Sequence, residues 1–467
     1  MPALQLSRRG FLRGLSAIGG AMLLAQRATA AQATTPPPNI VFILIDDLGW
    51  ADLGCYGSRF YQTPQIDALA AQGMRFTDAY AACPVCSPTR ACFLTGQYPA
   101  RLNLTDWIPG HNRSDVRLLV PQFNQQLPLD CTTIAEMLKP AGYVSASIGK
   151  WHLGTEQFYP DKQGFDVTFG PSHKGQPKSY FYPYTTPAVP DGAKGEYLTD
   201  RLTDQAIKFI QANRQRPFFL YLSHYAVHTP LQAKPDKVAR YRALAKPDAA
   251  QNNAAYAAMI ESVDESVGRI IATLDELKLS QNTLVVFTSD NGGLAKVTSN
   301  APLRAGKGTL YEGGIREPLI VRWPGVVKAG STCDVPVTTA DFYPTFAQAA
   351  AADPGKQPID GADLLPLLKG GAPPQRDAIY WHYPHYHPGG ATPGGATPGG
   401  AIRAGDWKLI EFFEDNRAEL YNLKQDPSET KDLAATDPDR ARLLRSKLAD
   451  WRKTVNARMP SPNPNAR

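Results

Sequence analysis

The sequence predicts an α/β protein with a large, mainly parallel or mixed β-sheet flanked by helices, followed by a smaller C-terminal α+β unit with an antiparallel sheet. Apolar runs of strand length alternate with segments of helical period over roughly the first 350 residues, which is typical of a helix-flanked sheet. Several of these runs end in polar residues, at the edge where open α/β sheets place their sites. A stretch rich in proline and glycine at 354–374 then precedes shorter strands.

Length and composition agree with this class. A chain of 467 residues is long for one average domain and suits a large α/β domain with a smaller partner. Hydrophobic residues make up 43% and charged residues 20%, an ordinary globular balance. We predict four segments: an export signal at 1–30, a large N-terminal domain at 31–370, a C-terminal subdomain at 371–458 and a disordered tail at 459–467.

The N-terminus has the pattern of a twin-arginine export signal. Arg8 and Arg9 precede a mildly apolar run, and Ala28-Thr29-Ala30 offers a cleavage site. The run is shorter than the ~20 residues that a bilayer requires, which disfavours a membrane anchor. We therefore predict a periplasmic or secreted protein without stable membrane insertion after cleavage. Loss of the four arginines in residues 1–30 lowers the formal charge from +6 to +2, so composition does not favour a nucleic-acid partner.

Four apolar runs are predicted to be buried strands that carry polar side chains at their carboxyl ends. The runs and the residues that follow them are Asn39–Ile45 with Asp46 and Asp47, Val144–Ile148 with Lys150 and His152, Pro217–Ser223 with His224 and His228, and Thr283–Thr288 with Asp290 and Asn291. Adjacent carboxylates such as Asp46 and Asp47 are costly to bury unless a positive charge lies between them. A divalent cation is the natural compensation.

The remaining predicted elements complete this alternation. The helices are Thr63–Gly73, Thr132–Gly142, Leu198–Asn213, Ala254–Leu279, Thr338–Ala352 and Asp437–Val455, and the further strands are Phe76–Tyr80, Leu319–Trp323, Ile402–Phe413 and Glu419–Leu423. Loops at Phe158–Ala193 are expected to shape a substrate mouth. The glycine-rich loop at 300–314 holds Arg304 and Lys307 but lacks P-loop spacing. The GGATP repeat, Pro388–Ala401, is predicted to be a mobile loop.

Six cysteines are too few for a disulfide scaffold in a chain of this size, and three of them cluster at 83–92. Cys83 and Cys92 are interpreted as packing residues or a modest disulfide, since neither zinc spacing nor a thioredoxin-like context surrounds them. Cys86-Ser87-Pro88-Thr89-Arg90 is typical of a helix start, where the positive dipole end lowers a thiol pKa and attracts anions. Arg90 adds a fixed cation one turn along, so this stretch indicates a site for an anionic group.

Two motifs carry a family resemblance. Cys86-x-Pro88-x-Arg90, continued by 91–96, resembles the sulfatase signature in which the cysteine is oxidised to formylglycine. Gly142–His152 resembles a second signature of the same family, in the expected order. The resemblance implies an alkaline-phosphatase-like fold and a sulfuric ester hydrolase acting on a sulfated carbohydrate or an aryl sulfate. It also implies a maturation enzyme as a partner, which generates the formylglycine.

The resemblance further implies a role for each residue at the strand ends. One Ca²⁺, with Mg²⁺ as the alternative, would be bound by Asp46, Asp47, Asp290, Asn291 and the modified Cys86. Asp290 would assist attack on sulfur, while Lys307 and His228 would bind the sulfate and protonate the leaving alcohol. His152 would accept a proton when the covalent sulfate is released. Arg90 and Lys150 would hold the formylglycine hydroxyls and neutralise charge.

Other interpretations stay open at this point. His224 and His228 could suggest zinc, although their strand-to-loop context favours packing for His224. His382, His385 and His387 fit either a substrate subsite or a buried aromatic cluster, and Trp381, Tyr383 and Tyr386 offer stacking faces for a sugar. Arg304 either assists the sulfate site or braces its loop. Rival functions are a phosphomonoester or phosphonate hydrolase of the same superfamily and a non-catalytic glycan-binding protein.

Overall fold

The fold is organised around a mixed β-sheet that lies at its centre. The computed structural model describes residues 36–111, 116–185, 189, 192–246, 248–388 and 397–466. Within this part of the chain, nine strands form the central sheet, four form an antiparallel sheet and two form a small ribbon. Residues from Pro37 onward belong to one compact unit. The predicted export signal at 1–30 lies outside the described residues, as does 389–396 of the GGATP repeat.

The strands have the following bounds in chain order. They are β1 (Asn39–Ile45), β2 (Met74–Tyr80), β3 (Leu118–Leu119), β4 (Val144–Gly149), β5 (Val167–Phe169), β6 (Phe218–Ser223), β7 (Thr283–Ser289), β8 (Arg316–Arg322), β9 (Ser331–Cys333), β10 (Val337–Thr338), β11 (Ile379–Tyr383), β12 (Gly399–Ala404), β13 (Trp407–Phe412), β14 (Ala418–Asn422) and β15 (Ser461–Pro462). The central sheet has the order β10-β2-β8-β7-β1-β6-β4-β5, with β9 paired to β2.

Strand β1 lies in the middle of the central sheet, between β7 and β6. It pairs in parallel with β6 on one side and with β7 on the other, and β6 continues in parallel to β4. All seven residues of β1 are buried, as expected for a strand covered on both faces. Strand β8 runs antiparallel to β7 and β2, which makes the sheet mixed. The carboxyl ends of β7, β1, β6 and β4 therefore lie side by side.

Helices cover both faces of the central sheet and bury its apolar side chains in two large clusters. The α-helices are Pro64–Gln72, Cys86–Thr95, Pro99–Leu102, Ile134–Leu138, Leu198–Ala212, Pro235–Leu244, Ala254–Glu276, Glu312–Ile315, Phe342–Ala349, Leu365–Leu368 and Pro438–Thr454. On one face, Val41, Ile43 and Ile45 of β1 belong to the same cluster as residues of Leu198–Ala212 and Ala254–Glu276. On the other, Phe42 stacks on Phe93 with ring centroids 3.9 Å apart.

The C-terminal antiparallel sheet, in the order β11-β12-β13-β14, joins the large domain through buried charges. Lys408 Nζ on β13 donates to Glu312 Oε1 and to Glu429 Oε1, each at 2.8 Å, and all three side chains are fully buried. A second pair links Arg403 on β12 to Asp78 on β2 at 2.7 Å. These ion pairs connect the C-terminal sheet to the large domain, and they satisfy charged groups that apolar packing would leave buried without a partner.

The fold class is confirmed, and several local features differ from the predictions. The repeat Pro388–Ala401 was predicted to be a mobile loop, but its last residues, Gly399–Ala401, begin strand β12. The aromatic run after Ala378 contains a strand, β11, that the sequence did not signal, because aromatic and histidine residues on both faces mask its alternation. Pro235–Leu244 is a helix that the sequence did not signal. The tail at 459–466 is not disordered, since β15 pairs antiparallel with β3 and Asn463 Nδ2 donates to the Val116 carbonyl at 2.7 Å.

The Lys408 network gives a stability prediction. We expect Lys408→Ala to lower the free energy of unfolding by about 3–5 kcal/mol, because buried Glu429 loses its counter-charge and Glu312 loses one of its two, keeping Arg316. Lys453→Ala serves as the control, since Lys453 is exposed and pairs only with Asp450, and it should change stability by less than ~1 kcal/mol. Urea unfolding followed by tryptophan fluorescence measures both. Equal stability of the two variants would contradict this account.

Candidate active site

The polar residues predicted at four strand ends meet at one edge of the central sheet. Register places Ile45 opposite Ser289, and Leu44 and Gly149 opposite Ser223, so the residues that follow these positions are neighbours. The backbone N–H of Asp47 donates to Asp290 Oδ1 at 3.2 Å. Asn291 Nδ2 donates to Asp47 Oδ1 at 2.8 Å. The strand ends of β1 and β7 thus converge on one acidic centre.

Buried cations balance this acidic centre. Arg90 donates from Nε and Nη2 to Asp290 Oδ2 at 2.9 and 2.7 Å, and from Nη1 to Ser223 Oγ. Lys150 Nζ contacts Asp46 Oδ2 at 2.5 Å. Burial raises the pKa of Asp46 to about 8, although Lys150 acts in the opposite direction. The guanidinium of Arg90 is fixed in its charged state, since its pKa lies above the ordinary range beside Asp290 despite burial.

Cys86 occupies the first turn of the helix Cys86–Thr95 and is buried. The predicted lowering of its pKa is wrong: burial raises the pKa of the thiol to about 11, more than Lys150 and Lys307 lower it. Cys86 is 2% exposed, and the cost of burying its thiolate exceeds the stabilisation that a helix start provides. The unmodified residue is therefore a neutral thiol at neutral pH rather than a thiolate nucleophile.

Gly149, within the second signature Gly142–His152, allows β4 to pass close to β6. Its φ of +105° is in the region that only glycine adopts readily, and a Cβ there would lie 1.9 Å from the Ser223 carbonyl oxygen. The next residue, Lys150, donates its backbone N–H to the same carbonyl at 2.7 Å. The close approach of β4 to β6 thus delivers Lys150 to the acidic centre.

His152 is held as a neutral imidazole with one free acceptor. Its Nε2 lies 2.6 Å from the Ile108 carbonyl oxygen, which assigns the proton to Nε2. Its Nδ1 is buried and has no hydrogen-bond partner among the described residues. Burial together with the Lys150 charge keeps its pKa well below the usual range. A backbone φ of +58°, uncommon outside glycine, holds the ring in this orientation.

Lys307 and His228 approach the site from loops. Lys307 Nζ donates to both oxygens of Asp47, at 2.6 and 2.8 Å, and lies 3.8 Å from Cys86 Sγ. Although burial opposes its charge, Asp47 raises the pKa of Lys307, so it is an ammonium. His228 Nδ1 donates to the Thr229 carbonyl at 2.8 Å, while Nε2 lies 3.5 Å from Asp47 Oδ2. Burial and Lys307 lower the His228 pKa to about 4.

The donor set fits a hard divalent cation. The ligand atoms of Asp46, Asp47 and Cys86 lie within 4.8 Å of one another. Two further oxygens, Asp46 Oδ1 and Asn291 Oδ1, are buried without a hydrogen-bond partner in the described structure. A carboxylate oxygen and an amide oxygen that are buried without a hydrogen bond are costly unless a cation satisfies them. Oxygen donors of this kind suit Ca²⁺ or Mg²⁺ rather than zinc.

A cavity of about 870 Å³ lies above the centre. Asp47, Cys86, His152, His228 and Lys307 form part of its wall, whereas Asp46, Arg90, Lys150, Asp290 and Asn291 lie beneath the surface. The structure therefore brings all the predicted site residues together in two layers. Residues in the wall can contact a ligand, and those below hold the wall residues and their charges.

The histidines and aromatic residues of 380–387, in β11 and just after it, lie in two different environments. His387 lines the cavity, but His382 and His385 are buried away from it, with Nε2 on the Arg458 carbonyl and on Thr105 Oγ1 respectively. The stacking role predicted for Trp381, Tyr383 and Tyr386 is wrong, because these rings are at most 6% exposed and do not line the cavity. Trp107 is the aromatic residue in the cavity wall, and no sequence motif singled it out.

Other open interpretations are resolved in favour of packing and bracing. His224 is buried, and its Nε2 contacts Ser266 Oγ at 3.0 Å, which supports packing rather than zinc binding. Arg304 donates to Tyr421 and to the Glu429 carbonyl, so it braces its loop against the C-terminal sheet. All six cysteines are free, so Cys83 and Cys92 are packing residues.

Two supporting serines were not predicted. Ser223 Oγ accepts from Arg90, and Ser87 Oγ donates to the His152 carbonyl at 2.9 Å while accepting from the Ile108 N–H. Ser87 follows Cys86 directly, so the helix start and the His152 loop are joined by one side chain. Only the spacing within the Cys86 motif hinted at Ser87, and nothing in the sequence around β6 distinguished Ser223.

This sheet with its strand-end acids and cavity defines a hydrolase of the alkaline-phosphatase-like fold. The model of the family described as Sulfatase matches residues 38–352, and that described as N-sulphoglucosamine sulphohydrolase, C-terminal, matches residues 306–454. The chain belongs to the sulfatase family. It is a sulfuric ester hydrolase.

Individual relatives agree with this assignment. The chain is 36% identical over 391 residues to N-acetylgalactosamine-6-sulfatase of Canis lupus familiaris, covering 77% of this chain and 71% of the relative. It is 34% identical over 450 residues to steryl-sulfatase of Mus musculus, covering 78% and 70%. The crystal structure of Ps i-CgsB in complex with k-i-k-neocarrahexaose aligns with a TM-score of 0.75 at 33% identity, covering 92% of this chain and 94% of that one.

The tight approach of Gly175 to His152 gives a prediction for the site. A Cβ at Gly175 would lie 2.6 Å from the His152 Cε1, so Gly175→Ala must displace the ring or the loop. We expect hydrolysis of a sulfate ester to slow by about tenfold to a hundredfold, the cost of misplacing a group in an active site. The thermal midpoint serves as the control and should change little, because residue 175 lies at the cavity surface. An unchanged rate would show that the ring position is immaterial.

Proposed function

We propose that this sulfatase hydrolyses sulfate monoesters of carbohydrates, with a formylglycine made from Cys86 and one bound Ca²⁺. The observation that carries the proposal is the two-layered site, in which a buried set of carboxylates, cations and Cys86 forms the floor of one cavity. The relatives named above act, by their names, on a sulfated sugar and on a steryl sulfate. The cavity wall favours the sugar, because Gln125, Gln126 and Gln176 offer hydrogen bonds to hydroxyl groups.

The cation would be held by Asp46, Asp47, Asp290 and Asn291 together with the modified residue 86. When bound, it would supply a positive charge that favours ionisation of a hydroxyl and neutralises a sulfate oxygen. Asp46 Oδ1 and Asn291 Oδ1, which accept no hydrogen bond within the described residues, support this set. Arg90 would orient Asp290, because its Nε and Nη2 both donate to Asp290 Oδ2.

A hydrated formylglycine supplies two hydroxyls on one carbon, so one can attack sulfur and the other can later expel the sulfate. Asp290 would take the proton of the attacking hydroxyl. Lys307, as an ammonium, would bind a sulfate oxygen and donate a proton to the leaving alcohol. His228, whose Nδ1–H donates to Thr229, has an unprotonated Nε2 that would accept a hydrogen bond from the released alcohol. His152 would accept the second proton at Nδ1, the atom without a hydrogen-bond partner in the described structure.

The raised pKa of the Cys86 thiol supports modification at this residue. A neutral, buried thiol is a poor nucleophile and offers one heteroatom, whereas release without attack of water on sulfur needs two. Lys150, which contacts Asp46, would keep charge balanced beside residue 86. We further propose export by the twin-arginine route after cytoplasmic maturation, on the N-terminal pattern described above. No helix within the described residues is long and apolar enough to cross a membrane.

Tandem mass spectrometry of the tryptic peptide Phe76–Arg90 tests the modification. We expect a loss of about 18 Da at residue 86, because the side-chain CH2–SH becomes an aldehyde, losing one sulfur and two hydrogens and gaining one oxygen. Cys83 lies in the same peptide and is the internal control, since it should remain a thiol. Active enzyme that carries only unmodified Cys86 would contradict the mechanism.

Rates on nitrophenyl sulfate and nitrophenyl phosphate separate a sulfatase from a phosphomonoester hydrolase. We expect sulfate to be preferred, because the described site offers one set of metal ligands and no second carboxylate and histidine set for a dianion. Cys86→Ala should abolish turnover of both esters, while Cys83→Ala should retain it. Preference for phosphate would favour the rival function.

Calcium binding by isothermal titration calorimetry tests the cation. We expect Asn291→Leu to weaken Ca²⁺ binding by about tenfold or more, since an oxygen donor is lost from the shell. Asn291→Asp keeps that oxygen and is the matched control, so it should bind Ca²⁺ at least as well as Leu. Removal of the ion with a chelator should abolish hydrolysis, and Ca²⁺ should restore it. Equal binding by the wild type and Asn291→Leu would exclude this ligand.

A further inference from the structure

A chain of cavities runs away from the active site along one loop. The loop 294–303 contributes to the wall of the 870 Å³ cavity through Leu294 and Lys296, and Lys296 also lines a second cavity of about 460 Å³. Ala250, Ser299 and Ala301 are shared between that cavity and a third of about 510 Å³. Shared wall residues place the three cavities next to one another, and we call the two cavities beyond Lys296 the distal groove.

The charges that line these cavities are strongly one-sided. Among the described residues of the three walls, Asp47 in the catalytic centre is the single carboxylate, whereas the cations are Lys174, Lys296, Lys307, Arg59 and Lys246. The whole chain has 49 basic and 43 acidic residues, so overall composition does not account for this excess. A groove lined by one sign of charge attracts ligands of the other sign.

The cations of the distal groove are not engaged elsewhere in the described structure. Lys296, Arg59 and Lys246 are exposed, and none of them has an ion pair or a side-chain hydrogen bond there. Unpaired ammonium and guanidinium groups remain available to anions of a ligand.

The distal groove also carries groups that suit a sugar. Phe60 contributes ring surface in the third cavity, and Gln251 contributes an amide to the wall that also holds Arg59. A sugar ring packs one face on an aromatic side chain and exchanges hydrogen bonds with amides at its edge. Sulfate groups on the same ring would then meet Arg59 or Lys246.

We propose that the distal groove binds the sulfated sugars next to the one being hydrolysed, so the substrate is an extended oligosaccharide with several sulfate groups. In this assignment Lys296 contacts the sulfate of the adjacent sugar, and Arg59 with Lys246 contacts one further along. This inference rests on the proposed function, because it assumes hydrolysis of a carbohydrate sulfate at the cavity floor. It adds that recognition extends to the loop 294–303 and to the segment before Ala254–Glu276.

Kinetics on oligosaccharides of increasing length test the assignment. The probes are carrageenan and chondroitin sulfate oligosaccharides of two, four and six sugars, with nitrophenyl sulfate as the substrate that cannot reach the distal groove. We expect kcat/KM of the wild type to rise with length. Arg59→Ala with Lys246→Ala should remove that rise, by about two- to fivefold for each lost contact, and added salt should have the same effect.

Two controls keep the outcomes distinct. Arg242→Ala removes an exposed charge from the helix Pro235–Leu244 outside the three cavity walls, and it should leave the length dependence intact. Hydrolysis of nitrophenyl sulfate should be the same in all variants, which shows that they fold. A wild type that cleaves sulfate esters with no dependence on length overturns this inference and leaves the proposed function standing. Absence of sulfate release from every probe overturns the proposed function itself.

Discussion

The burial of several carboxyl groups at one sheet edge is the constraint on which the rest of the structure depends. Asp46, Asp47 and Asp290 are at most 3% exposed, and each requires compensation within a few ångströms. Lys150, Lys307 and Arg90 supply it from three different parts of the chain. The strands bring the acids together, and the loops and the helix Cys86–Thr95 bring the cations. Removing any one partner leaves a charge that the interior cannot solvate.

This constraint also explains how far sequence reasoning reached. Apolar runs such as Asn39–Ile45 predicted the buried strands, and the polar pairs after them predicted the edge that holds the site. The family motifs placed Cys86 and Lys150 at positions that the structure brings together. The position of Lys307 was harder to predict from local sequence, because nothing within its glycine-rich loop indicates that the loop folds back onto Asp47.

What the sequence could not provide depends on long-range packing. The pKa of Cys86 follows from complete burial, which the helix-start pattern does not encode. Trp381 and Tyr383 have the composition of a sugar-binding surface, yet their strand β11 turns them inward, where Trp381 Nε1 donates to the Ala81 carbonyl. Trp107 lies in an irregular segment and reaches the cavity only through the fold. Local sequence patterns therefore predicted which residues form the acidic centre, whereas the residues that line the cavity are set by tertiary contacts.

The loop that carries Lys307 illustrates how closely the two sheets are joined. Its backbone donates from Lys307 to the Gly293 carbonyl and from Gly308 to the Pro84 carbonyl, and a Cβ on Gly308 would lie 2.2 Å from the His387 ring. Lys307 thus lies between the first motif, the end of β7 and the C-terminal unit. An exchange of C-terminal units between relatives would have to preserve this three-way fit. The boundary near 370, although evident in composition, is consequently a poor crossover point for recombination, and the two parts are expected to diversify together.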